Sequence, residues 1–109
     1  MVQRLRQMIR DRTKAATCVG FGPRFQHSTG QTYKGGPKSG VFLQITCGDA
    51  EDLRVPGQSY TFGIVKAAQA RGDLEVLADR GRRALRAHIT GDLERGLETH
   101  SRAVEEALR

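Results

Sequence analysis

Residues 41–47, VFLQITC, form a near-continuous apolar run that Gly40 releases and Gly48 and Asp49 stop. The run has strand length, and its weak polar alternation predicts a central strand covered on both faces. Such a strand needs neighbouring strands and covering helices, so the chain must build a layered α/β unit or contribute to one. Helical patterns flank the run on both sides.

Val2, Leu5, Met8 and Ile9 recur at helical spacing between arginines, which predicts an amphipathic helix over residues 1–16. TCVGFG at 17–22 is short, β-prone and bounded by Gly22 and Pro23, so residues 17–47 read as strand, loop and strand, with His27 in the loop. DAEDLRVPGQS is a polar surface connection. Helices are expected over 60–81, the first capped at Gly72 and the second formed by LEVLADRG. RALRAHIT at 83–90 alternates in places and fits a strand. Asp92 is a plausible N-cap for a final helix over 92–109, with Leu93, Leu97, Val104 and Leu108 on one face.

With 109 residues, 38% apolar composition and no Trp, the chain supports one domain at most and a modest core. Three strands buried on both faces ask for more covering structure than this length supplies, so an incomplete domain is expected. Cys18 and Cys47 lie far apart without metal-ligand spacing, which gives neither zinc nor redox chemistry a ligand set. Buried reduced thiols are the expected state, with a single disulfide as the alternative. That state, the charged first segment and the lack of a long apolar run predict a cytoplasmic protein with no membrane association.

The net charge of +6 raises nucleic acid as a partner. However, Arg4, Arg6, Arg10, Arg12 and Lys14 in one segment, and Arg80, Arg82, Arg83 and Arg86 in another, are interrupted by acidic or apolar residues. Without aromatic interleaving they read as solvated faces, and no nucleic-acid partner is expected. A small basic module binding nucleic acid or sugar phosphates is the alternative function.

FQHSTGQTYKGGPKSG, ahead of the apolar run, gathers hydroxyls, cations and flexible backbone at a loop-to-strand junction, a position that favours binding groups. It is not a P-loop, because Gly36 and Pro37 stand where Lys and Ser or Thr are required. His88 and His100 have no acidic or cysteine partner at useful spacing and read as structural.

HSTGQTYKGGPKSGVFLQIT resembles the histidine loop of bacterial glucose-6-phosphate isomerases, especially those fused behind a transaldolase. RDRTKAATCVGFGPRFQHSTGQ before it and VPGQSYTFGIVKAAQARGDLEVLADRGRRALRAHI after it are similar to the C-terminal end of the same fusion enzymes, so the resemblance covers roughly residues 8 to 89. It implies the C-terminal fragment of a doubly wound sugar-isomerase (SIS-type) domain. The implied activity is the interconversion of glucose 6-phosphate and fructose 6-phosphate in glycolysis and gluconeogenesis, without cofactor or metal.

The resemblance also implies roles for individual residues. His27 stands at the histidine of the HS-x-GQ loop that opens the sugar ring, a task suited to a group titrating near neutrality. Lys66, in YTFGIVK, stands at the C-terminal catalytic lysine, a fixed positive charge for the developing oxyanion. Ser59 replaces the Gln of the family's F-D-Q-x-G-V-E-x-x-K pattern. Ser28, Thr29, Gln31 and Lys34 are the candidate substrate contacts. The family's proton-shuttling glutamate lies upstream of the histidine, where this chain has Arg6 and its neighbours, so the chain alone is expected to be inactive. The expected partner is a second copy or a complementing isomerase or transaldolase chain, since the family builds its site across a dimer interface with the neighbour's histidine.

Overall fold

The computed structural model describes the whole backbone and every side chain except those of Arg24, His27 and Thr29. Its contacts divide it into two units, residues 21–88 and residues 1–20 with 89–109.

Residues 21–88 are organised around β1 (Val41–Cys47), a long helix α3 (Phe62–Asp79) and β2 (Arg83–Ile89). The strands pair in parallel as a two-stranded sheet, joined by the helix that a parallel crossover requires. The chain is thus mixed α/β, with two strands where three were expected. Ahead of β1, two tight helical turns, Arg24–His27 and Thr29–Gln31, lead into a one-turn helix, α2 (Thr32–Gly35).

Among the described residues of this unit the contacts of β1 lie on one face, where covering on both faces was expected. Phe42 meets the ring of Tyr33 at 5.0 Å between centroids, and the Gln44 amide donates to Ala70 O of α3 at 2.9 Å. On the opposite face Val41 is 71% and Leu85 67% exposed. The strand expected over 17–22 does not form. Residues 14–22 lack helix or strand, Phe21 is 80% exposed, and the segment joins neither strand of the two-stranded sheet. Cys18 and Cys47 are both exposed, not buried. Cys47 ends β1 on its uncovered side, and Cys18 lies in this irregular segment.

α3 corrects another expectation, for it runs unbroken through Gly72. Gly72 costs about 1 kcal/mol relative to Ala in a helix interior, less than the roughly 1.5–3 kcal/mol gained by burying Leu77 further along the same helix. Its N-terminus is capped by Thr61, whose hydroxyl accepts the Ile64 N–H at 3.2 Å. Its C-terminus is a Schellman motif. Gly81 takes φ +67°, its N–H donates to Ala78 O at 2.9 Å, and the Arg82 N–H donates to Leu77 O at 2.8 Å.

In the other unit, α1 (Val2–Thr13) stops three residues before the expected Ala16, because Lys14 turns left-handed at φ 58° and donates its N–H to Arg10 O at 2.8 Å. The Arg6 guanidinium holds the following chain through Thr17 Oγ1 at 3.3 Å. α4 (Leu93–Ala107) starts as expected at Asp92, whose carboxylate accepts the Arg95 N–H at 3.2 Å. α1 packs on α4, and Ile89 packs so closely on Gly96 that a side chain there would overlap it. Among the described residues the buried apolar side chains are Leu5 and Ile89 in this unit and Leu77 in the other.

Candidate functional site

Chemistry-bearing groups collect at the carboxyl end of β1, the position where open α/β sheets bind ligands. The chain leaves β1 through Gly48 and Asp49, crosses the polar connection, and enters α3 at Phe62. Gly63 is the hinge of this arrangement. Its N–H donates to Asp52 Oδ1 at 2.8 Å, and a Cβ there would lie 2.5 Å from Asp52 Oδ2 and 2.6 Å from Asp49 Oδ2. Only glycine lets both carboxylates approach the helix N-terminus, where the backbone N–H groups favour negative charge.

Lys66, one turn further along, is ion-paired with Asp49 and about half exposed. Its pKa is raised, chiefly by the hydrogen bond to Asp49, with partial burial opposing and the charges of Asp49, Cys47 and Asp52 adding. The pairing thus favours the charged form of Lys66. The Asp52 carboxyl is held below its usual range by the Thr61 hydroxyl and the Gly63 N–H, with burial opposing and lesser help from the Leu53 N–H and Lys66. Asp49, Glu51, Asp52, Phe62 and Lys66 line a shallow concavity of about 200 Å³. Ligand pockets usually enclose about 300–1,000 Å³, so this concavity by itself is smaller than a ligand pocket.

The remaining predicted residues lie at the other end of the unit, in the tract that enters β1 at its amino end. The side chains of His27 and Thr29 lie outside the described residues. Ser28 is exposed, and its hydroxyl donates to Phe25 O at 3.3 Å within its own turn. Gln31 is exposed. Lys34 is engaged: its ammonium donates to Asp73 Oδ1 at 2.5 Å, with the lysine side chain only 20% exposed. An anion bound by Lys34 would have to share its ammonium with Asp73, which is 3% exposed.

The structure does not bring Lys34 and Lys66 together. They approach α3 at positions 73 and 66, separated by about 10 Å of helix rise, and β1 sets the two ends of the unit about 20 Å apart.

Sequence reasoning missed Asp49, Asp52, Asp73 and Arg82. Asp49 and Asp52 carried a faint signal, as acidic residues just ahead of a capped helix N-terminus. Asp73 and Arg82 carried none, because their partners are distant in sequence. Arg82 Nη2 donates to Lys34 O at 2.9 Å and to Gly36 O at 2.7 Å, and Arg83 donates to Ser39 O at 3.0 Å. Members of the second arginine segment thus have internal partners. His88, expected to be structural, pairs across the sheet, with Nδ1 2.7 Å from Thr46 Oγ1 on an exposed surface.

Among the described residues no three metal-ligating side chains cluster, and no helix is long and apolar enough to cross a membrane. No family model, curated protein or solved structure matches the chain.

Proposed function

We propose that this chain is the C-terminal portion of a glucose-6-phosphate isomerase, with His27 opening the sugar ring and Lys66 balancing the negative charge that develops as the enediolate forms. The observation that carries the reading is the setting of Lys66. It is a cation with a raised pKa, oriented by a carboxylate, at the carboxyl end of a parallel strand and beside a shallow concavity. Preorganised charge of this kind stabilises an oxyanion without moving a proton.

The separation of Lys66 from the histidine tract fits a site made by two copies, each presenting its Lys66 end to the other's tract. The first glutamate in the sequence is Glu51, beyond both His27 and β1, so the base that moves the proton between C1 and C2 must come from another polypeptide segment. Arg82 and Arg83 spend guanidinium donors on internal carbonyls, which leaves the nucleic-acid alternative with less support than the isomerase reading.

The test is turnover of fructose 6-phosphate by the chain, alone and mixed with an isomerase region lacking its own C-terminal part. We expect no turnover alone, turnover in the mixture, and its loss in His27→Ala and in Lys66→Met. Turnover by the chain alone, or complemented turnover indifferent to both substitutions, would falsify the proposal.

A further inference from the structure

α2 is a single turn followed by Gly36 and Pro37, too short to satisfy its own final carbonyls. Arg82, the residue that completes the Schellman motif of α3, supplies the donors, with Nη2 reaching both Lys34 O and Gly36 O. The side chain of the same Lys34 reaches the opposite way, to Asp73 in the middle of α3. Main chain and side chain of one residue are thus gripped from two elements. At the start of the tract the Phe25 ring meets Tyr33 edge-on at 5.8 Å, and Tyr33 rests on Phe42 of β1. His27 lies in sequence between these anchors.

A buried ion pair is a poor device for stability, since desolvation offsets most of its attraction and an apolar pair of similar volume often does as well. What it offers is selection of one geometry. We propose that Asp73 and Arg82 are positioning residues, a two-point clamp that holds the tract 24–36 in one conformation and so delivers His27 on a preformed segment. The purpose of the clamp rests on the reading of His27 as the ring-opening group, but its existence does not.

Amide hydrogen exchange on the full chain tests it. Lys34→Met combined with Asp73→Leu keeps the volume and removes both charges, so the urea midpoint should stay near wild type. The Gln31 and Gly36 amides, hydrogen-bonded to Ser28 O and Thr32 O, should nevertheless exchange about ten- to hundredfold faster. Arg82→Gln should show the same loss, and Arg82→Lys, which keeps the charge but not the forked geometry, an intermediate one.

Amides of β1 and α3 should keep their protection throughout. Wild-type protection of the tract in these variants, or loosening of β1 and α3 in step with it, would overturn the proposal by reducing both contacts to ordinary stabilising ones. Neither outcome depends on turnover. A loosened tract with complemented turnover unchanged would leave the clamp standing and remove the catalytic reading of His27.

Discussion

Two glycines of the α3 segment should respond to alanine with opposite signs. Gly81 holds φ +67° at the Schellman position, and an L-residue there costs about 1–2 kcal/mol. A Cβ on Gly81 would also meet Lys38 Nζ at 2.8 Å, but that is the far end of a flexible chain and can move. Gly72 has helical backbone and nothing within 4 Å of its would-be Cβ, so alanine there should stabilise by about 0.5–1 kcal/mol. The two midpoints should therefore separate by about 2 kcal/mol, a large share of the roughly 5–15 kcal/mol that holds a domain together. Urea unfolding followed by helical circular dichroism measures both, and the slope should stay constant if the denatured state is unchanged. Equal effects, or destabilisation by Gly72→Ala, would refute an unbroken α3 that ends at Gly81.

Other perturbations follow from the same contacts. Gly96→Ala should destabilise by about 1–3 kcal/mol through overpacking on Ile89, detectable as a lowered melting temperature. Thr61→Ala should cost about 1 kcal/mol as the α3 cap is lost, while Thr61→Ser should restore most of it. Asp52 binds its proton less readily when folded than at the usual 3.8, so its contribution is full above that pH and is lost as pH falls through the lower folded value. Lys66 has the reverse sign: its contribution is full below 10.5 and is lost as pH rises through the higher folded value. Unfolding midpoints should accordingly lose part of their acid slope in Asp52→Asn and part of their alkaline slope in Lys66→Met, and unchanged slopes would remove these groups from the account.

Elements marked by local chemistry were legible in the sequence. Asp92 announced α4, the alternation in RALRAHI gave β2, and the apolar run gave β1. The errors have a common physical source. Gly72 and Gly81 look alike in sequence, and the burial of Leu77 beyond Gly72 decides which of them ends the helix. TCVGFG has strand composition, yet a strand needs a partner, and pairing is not a local property. Lys66 was singled out by resemblance, but its orientation by Asp49 depends on the glycine at 63 that admits the carboxylates. The pairing of Lys34 with Asp73 is not legible in the sequence because the two lie thirty-nine residues apart, on different elements.

Mixing two inactive variants tests the central claim most directly. His27→Ala and Lys66→Met, each combined with the complementing isomerase region, should fail separately to convert fructose 6-phosphate. Mixed together they should regain part of the activity, since one copy would retain the imidazole and the other the cation of a shared site. If each variant is inactive and the mixture stays so under conditions where copies exchange, the site is not assembled from these two ends and the account is contradicted.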